Sequence, residues 1–319
     1  MRDAFARKID YMRVSITDRC NLRCGYCMPE DVPFMAHDDI MRFEELLRIC
    51  SIMAGLGVKT IRVTGGEPLV RRGCFEFIKA LKEMPGIENV ALTTNGVYLE
   101  QHLEGFAAMG LDGLNISLDS LSPEIYSQIT GFDAFNKTWD AIVKAVDLGL
   151  RVKINCVLMK GINDSQILPM VALLEQMPID VRFIELMPTG FGKNLDSMAK
   201  EEILGIIQEH YPNLEEDYSK HGFGPAKYFK ASGMKGSIGF ISAVSDIFCA
   251  TCNRIRLSSE GFLLLCLHYS DGIDLRAMLR GGASDEEIAA AIKESIKHKP
   301  EKHSLDKQTE LKHMSKIGG

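Results

Sequence analysis

Six short β-branched runs recur along the first 186 positions, and apolar residues return every three or four places in the stretches between them. The runs are YMRVSI, KTIRVT, ENVALTT, GLNISL, RVKINCVL and DVRFIEL, and the intervening patterns include RFEELLRICSIMAGL and FNKTWDAIVKAVDLGL. Period two alternating with period 3.6 predicts repeated βα units on a parallel sheet, about thirty residues to a unit. Gly55, Gly57, Gly110 and Gly149 stand where the helical patterns stop, as expected of residues that tolerate left-handed backbone at a helix end. No repeat is visible at the level of residue identity.

The strands carry two phases. One is apolar: Val14 and Ile16; Ile61 and Val63; Leu114, Ile116 and Leu118; Val152 and Ile154; Val181 and Phe183. The other is polar: Arg13, Ser15 and Thr17; Arg62 and Thr64; Thr93 and Asn95; Asn115, Ser117 and Asp119; Lys153 and Asn155; Arg182. A parallel sheet covered by helices on both faces reads as continuously apolar, so this alternation predicts one face against helices and one toward something polar. A closed eight-stranded barrel fills its interior with packed side chains. Six strands with a polar inside fit an incomplete (β/α)6 TIM-like barrel around a large ligand. Arg13, Arg62, Lys153 and Arg182 outnumber the one acid read on that face, Asp119, which points to an anion; a solvated face of an open sheet is the alternative.

Past residue 190 the rhythm breaks. TGFGKNLDSM and SKHGFGPAKYF are polar and glycine-rich, and the runs SIGFIS, IRLSS and FLLLCL lie close enough for antiparallel pairing. We therefore divide the chain into a barrel at 1–190, a smaller C-terminal region with antiparallel strands at 191–298, closing on a helix at Ser284–Lys297, and a tail at 299–319. The tail has no sustained apolar period and reads as a frayed terminus, although fully extended it would reach up to about 70 Å.

Composition narrows the class. The 319 residues are 46% hydrophobic and 25% charged with a formal net charge of −6, which argues against nucleic acid as a general partner while leaving room for a local basic pocket. The N-terminal stretch MRDAFARKIDYMRVS lacks the apolar core of a signal peptide, and no run is long enough to span a membrane. The expectation is a cytoplasmic protein without membrane association, with reduced thiols. Nine cysteines, an odd number with two tight clusters, then suggest metal or catalysis over disulfides.

The first cluster, Cys20-x3-Cys24-x2-Cys27, follows the end of the first strand, where ligand sites of α/β folds gather. Three thiolates on one short loop suit three corners of an iron–sulfur cluster with one iron left open. Structural zinc asks for four ligands, and only His37 is nearby. The second cluster, Cys249-x2-Cys252-x13-Cys266, read alone fits a zinc site with His268 as fourth ligand about as well as it fits iron–sulfur. Cys50 and Cys156 read as core thiols, Cys74 is likewise unclustered, and Trp139 reads as packing.

The cysteine loop with Tyr26 before its last thiol, together with TGGEP at 64–68 after the second strand, resembles the radical S-adenosylmethionine superfamily. RVSITDRCNLRCGYCMP, RVTGGEPLVRR, LTTNG, NISLDS, KGIND, RFIELMP, FCATCNRIRL and the terminal MSKIGG extend the resemblance over nearly the whole chain. Within the superfamily it is to the GTP 3′,8-cyclase family, molybdenum-cofactor biosynthesis protein A. Phe132 departs from it, standing after Gly131 where the family carries a basic residue, and residues 189–226 match no motif.

That resemblance implies two 4Fe–4S clusters, on Cys20, Cys24 and Cys27 and on Cys249, Cys252 and Cys266. It implies S-adenosyl-L-methionine held near Tyr26, Gly65, Gly66, Ser117 and Met187, with the glycines admitting backbone where a Cβ would intrude. It further implies a 5′-deoxyadenosyl radical acting on GTP, whose contacts would be Arg13, Arg62, Thr93, Lys153, Arg254 and Arg256. Arg182 and the terminal Gly318 and Gly319 are carried over as catalytic. An external electron donor, a downstream cyclic pyranopterin monophosphate synthase and a homodimer complete the implied partners. The rival readings are a radical enzyme that modifies peptides through an auxiliary cluster, and a non-catalytic iron–sulfur or zinc scaffold.

Overall fold

A computed structural model describes residues 1–28, 34–188, 190–242, 244–245, 248–269 and 272–303. In chain order the first elements are β1 (Tyr11–Ser15), α1 (Phe43–Gly55), β2 (Thr60–Thr64), α2 (Cys74–Lys82), β3 (Asn89–Thr94), α3 (Leu103–Ala108), β4 (Gly113–Ser117), α4 (Pro123–Thr130), α5 (Phe135–Asp147), β5 (Val152–Leu158), α6 (Ile167–Gln176) and β6 (Asp180–Glu185). There follow α7 (Lys200–His210), β7 (Glu215–Asp217), β8 (Lys227–Lys230), β9 (Ser237–Ile241), β10 (Arg254–Leu257), β11 (Phe262–Leu264), β12 (Gly272–Asp274), α8 (Leu275–Arg280) and α9 (Asp285–Lys297). The six expected βα strands are present. The chain divides into two compact units, one of residues 1–21, 30–92 and 249–319, the other of residues 22–29 and 93–248.

In the first unit the strand order is β12-β11-β10-β1-β2-β3. β10, β1, β2 and β3 run parallel, and β11 and β12 return antiparallel. The apolar phase supplies Val14, Ile61, Val63 and Val90 to a core completed by Leu46, Ile49 and Met53 of α1 and Phe77, Ile78 and Leu81 of α2, all buried. Each such side chain contributes about 2 kcal/mol on leaving water. Phe43 stacks on Phe77 at 5.0 Å between ring centres. α9 begins where the sequence places it: the Ser284 side chain accepts from the Glu287 N–H at 3.2 Å, and the Glu287 carboxylate takes the Ser284 N–H at 2.8 Å, two otherwise orphaned donors satisfied reciprocally.

The second unit has the order β4-β5-β6-β9-β8-β7. β4, β5, β6 and β9 are parallel, while β8 and β7 are antiparallel. α4 starts at the Ser122 cap before Pro123 and ends at Gly131, whose φ of +75° suits only a residue without a side chain. Trp139 stacks on Phe135 at 6.3 Å, a packing role.

Two expectations change. SIGFIS (β9) does not pair with IRLSS (β10): β9 lies parallel to β6, and of these three runs IRLSS and FLLLCL, as β10 and β11, are the two that pair antiparallel. The long connection carrying Cys249 and Cys252 between β9 and β10 is no hairpin turn, so sequence proximity does not decide the partner. The polar phase is also less wet than alternation suggests, since Arg62, Asn115, Lys153 and Arg182 are all buried. Cys50 and Cys156 are buried, as expected of core thiols, and Cys74 is buried too; burial pushes the Cys50 thiol up to about 12. No helix among the described residues is long and apolar enough to cross a membrane.

Candidate active site

In the first unit, strand register builds a row of cations. Arg13 on β1 lies opposite Arg256 of β10 on one side and Arg62 of β2 on the other. Period two puts Tyr11 on the face of Arg13 and Arg254 on that of Arg256, and Tyr11 is the register partner of Arg254. The Arg254 guanidinium lies 5.5 Å from the centre of the Tyr11 ring. Arg62 Nε donates to the Tyr11 hydroxyl at 2.5 Å and its Nη1 to the Leu92 carbonyl at 3.3 Å. Burial first, then the charges of Arg256, Arg62 and Arg254, holds the Arg13 guanidinium well below its ordinary range, with Tyr11 opposing. Burial acts likewise on Arg256, lowered to about 10 with Arg254 adding to it and Cys266 opposing. Four arginines gathered on one sheet face favour an anion, and the fixed fork of each suits phosphate oxygens.

The second cysteine set lies beside this row. Cys249 opens a tight turn in which its carbonyl accepts from the Cys252 N–H at 3.1 Å, and Cys252 leads within two residues into β10. The antiparallel register of β10 and β11, carried two residues further, brings Cys266 alongside Arg254. All three thiols are half-buried. Burial raises the Cys252 thiol, but Lys299, an N–H bond from Arg254 and the charges of Arg254 and Arg7 outweigh it and lower it overall. At Cys266 burial dominates and the thiol is raised, with Cys252 and Cys249 adding to the rise. Among the described residues no three His, Cys, Asp or Glu groups are placed to hold a single metal ion. A cubane asks for a wider spacing, because its thiolates bind separate irons. His268, the expected zinc candidate, stacks on His303 at 4.0 Å and is lowered to about 4 by burial, by His303 and by Arg256.

Cys20 belongs to the first unit, where the segment before it is clamped by the glycine pair. The Gly66 N–H donates to the Thr17 carbonyl at 2.7 Å and the Glu67 N–H to the Arg19 carbonyl at 2.8 Å. A Cβ on Gly66 would stand 2.4 Å from the Arg19 carbonyl oxygen, and one on Gly65 2.8 Å from that of Thr17. The backbone that these glycines admit is thus the chain's own. Asp18 takes the Met35 N–H on Oδ2 at 2.7 Å, while its buried Oδ1 has no hydrogen-bond partner.

Cys24 and Cys27 belong to the second unit. Their loop docks on the end of α4, Arg23 and Gly25 donating N–H groups to the Thr130 and Ile129 carbonyls at 2.8 and 3.2 Å. It then folds on itself as the Cys27 and Met28 N–H groups meet the Cys24 carbonyl, both at 2.9 Å. The Tyr26 hydroxyl donates to Asp119 Oδ2 at 2.8 Å, and the Val157 N–H holds Oδ1 at 2.8 Å. Burial raises Asp119 to about 6; burial, Asp119 and the two thiols raise Tyr26 well above its ordinary value. Ser117 ends β4 and Met187 follows β6, both half-buried, as is Thr93 on β3. Exposed Phe132 follows α4.

Lys153 corrects the sequence reading of Asp119 as the one acid on the polar face. Its ammonium donates to Asp180 at 2.6 Å, to the Tyr228 hydroxyl at 3.1 Å and to the His221 carbonyl. Asp180 shares the polar face with Arg182 and so joins Asp119 as a second acid there. Arg182 grips Asn155 Oδ1 through Nε and Nη2 at 2.9 and 2.5 Å. Gly318 and Gly319 lie outside the described residues. The residues that sequence reasoning missed are Asp180, Tyr228 and Lys299, each far in sequence from the group it serves.

Comparisons place this geometry. Residues 14–174 match the model of the radical SAM superfamily, and residues 179–305 match that described as Molybdenum Cofactor Synthesis C. GTP 3′,8-cyclases of Clostridium perfringens and Heliobacterium modesticaldum are 44% and 45% identical, each alignment covering all of this chain and all of the relative. The chain belongs to the GTP 3′,8-cyclase family. Among solved structures, that of Streptococcus suis SuiB bound to S-adenosylmethionine matches with a TM-score of 0.65 over 89% of this chain and 68% of that one. At 14% identity this is a likeness of fold alone. The fold is the incomplete (β/α)6 barrel of the superfamily, with a smaller C-terminal region containing antiparallel strands. Membership of a radical SAM family carries with it a 4Fe–4S cluster and S-adenosylmethionine. Cys20, Cys24 and Cys27 are each half-buried and in no disulfide, and thiolates are the donor chemistry such a cluster takes.

Proposed function

We propose that the protein converts GTP to 3′,8-cyclo-7,8-dihydro-GTP, the first step of molybdopterin (molybdenum cofactor) biosynthesis, in the cytoplasm. The observation that carries this reading furthest is the row of Arg256, Arg13 and Arg62, with Arg254, beside Cys249, Cys252 and Cys266. A polyanion and a second cluster would meet at one place. With S-adenosylmethionine, the reduced cluster on Cys20, Cys24 and Cys27 supplies a carbon radical able to abstract hydrogen from a ribose. The chain's own residues bind and orient. Arg13, Arg62, Arg254 and Arg256 receive the triphosphate, and Thr93 and Lys153 are further GTP contacts. Cys249, Cys252 and Cys266 would hold a second 4Fe–4S cluster, which would supply a binding point for the purine. Tyr26, Gly65, Gly66, Ser117 and Met187 surround the cofactor. Asn155 fixes Arg182, so that its remaining donors keep one direction, and we retain Arg182, Gly318 and Gly319 as catalytic.

The reading also retains the functional division at residues 190 and 298, an external electron donor, a downstream cyclic pyranopterin monophosphate synthase and a homodimer. Anaerobic incubation with dithionite, S-adenosylmethionine and GTP tests it. We expect 5′-deoxyadenosine and an isomer of GTP with altered retention at unchanged mass; 5′-deoxyadenosine without that isomer would return the chain to another radical chemistry. Cys24→Ala should abolish cofactor cleavage and leave the second cluster's iron in place. Cys266→Ala should spare cleavage and abolish cyclisation.

A further inference from the structure

The first eight residues form a tight turn that the chemistry above does not use. Asp3 Oδ1 accepts the N–H groups of Phe5 and Arg7 at 3.0 and 2.9 Å, and Oδ2 takes Arg7 Nε at 2.5 Å. The turn passes through Ala6 at φ +62°, and Arg2 bridges Lys8 across it. A side chain is seldom held in that region of backbone space; here the Asp3 bonds on either side enforce it. The Asp3 and Arg7 side chains are 0% and 7% exposed. Removing such a pair from water is costly unless the remaining donors are also used.

Those donors are used, and all on carbonyls of one neighbourhood. Arg7 Nη1 reaches the Cys249 carbonyl at 2.8 Å and that of Glu301 at 2.9 Å, and Nη2 reaches that of Pro300 at 2.6 Å. One guanidinium therefore ties the second cysteine loop to the root of the C-terminal segment. Two further contacts repeat the connection: Lys299 Nζ donates to the Arg254 carbonyl at 2.9 Å and to that of Leu265, and the His303 ring stacks on His268. The segment that reads as a frayed tail is pinned beside the cysteines as far as residue 303.

We propose that Arg7 is a positioning residue, which fixes the root of the C-terminal segment on the Cys249 loop and acts on cyclisation through that segment and not on S-adenosylmethionine cleavage. The inference rests on the proposed function only for its kinetic half. A lysine keeps the charge and the Asp3 pair but cannot span three carbonyls, because a point charge lacks the planar fork. The test uses the full chain, reconstituted anaerobically, as parent, Arg7→Ala and Arg7→Lys. Trypsin cleavage after Lys302 should quicken about tenfold or more in both variants while other sites keep their rates. Iron content and 5′-deoxyadenosine formation should stay within about twofold of the parent as cyclised product falls about tenfold. Should Arg7→Ala fold poorly, Arg7→Lys carries the test. Unchanged cleavage at Lys302, or equal losses of 5′-deoxyadenosine and cyclised product, would overturn the proposal. A parent that makes no cyclised product would refute the function instead, and the protease comparison would still decide the anchoring.

Discussion

Arg13 has cations of its own kind on both sides, Arg256 and Arg62, and all three were read from the sequence as members of a motif or a phase. Such a group is destabilising until an anion arrives, the usual tension between a built site and a stable fold. Arg256→Met should therefore do two opposite things. It should weaken GTP binding by about 1.5–3 kcal/mol, the worth of a charge-assisted bond, and raise the ligand-free melting temperature by about 1–3 °C. Calorimetric titration and thermal unfolding read the two; a variant losing both affinity and stability would mean that Arg256 is structural. Asp119 offers a pH test. Its folded value of about 6 lies above the ordinary 3.8, so the folded state favours the protonated form. The stability this confers is fully present below pH 4 and lost as pH rises through 6. Asp119→Asn should flatten the corresponding fall in melting temperature between pH 4 and 6 relative to the parent, and parallel curves would remove the group from that account. At this scale the phases of the strands were legible because alternation is local. The partner of Lys153 was not, since Asp180 sits on the next strand and His221 beyond two more elements, and register across strands leaves no local trace.

Elements were read well wherever the signal lies inside the element. The cap at Ser284 and the stop at Gly149, which has φ +71°, needed only their own neighbours. Strand partners needed the fold, and so β9 was assigned to the wrong neighbour. The TGGEP turn shows how far a motif goes: its glycines were expected where backbone makes a close approach, and the space where a Cβ would stand is taken by Thr17, Asp18 and Arg19 backbone, which the motif alone does not name. Gly66→Ala must push that backbone away, and with it the approach to Cys20. We expect iron to fall by about half with the second cysteine set still loaded, and a stability loss of about 2 kcal/mol or more. Full iron in the variant, by chemical assay, would show that the turn can relax without moving the loop.

At the scale of the chain, the two units repeat a plan that no residue identity announces. In each, three successive parallel strands gain a fourth from the C-terminal half, and an antiparallel pair follows it. This is why β9 and β10, neighbours in sequence, end in different units. For the first unit the plan has a consequence in time. β1 receives β10 on one edge, and Tyr11 must wait for Arg254, about 240 residues later. A ribosome adding 5–20 residues per second leaves that edge open for about ten to fifty seconds, with its hydrogen-bonding groups and apolar side chains available to any other strand. Nascent chains stalled before residue 249 should therefore engage chaperones or aggregate, and chains stalled after about residue 340 of a C-terminally extended fusion, with β10 clear of the exit tunnel, should not. Protease resistance of residues 1–92 on stalled ribosomes reads the difference. The birth of this protein is thus set to finish late: its earliest strand is among the last to be sheltered.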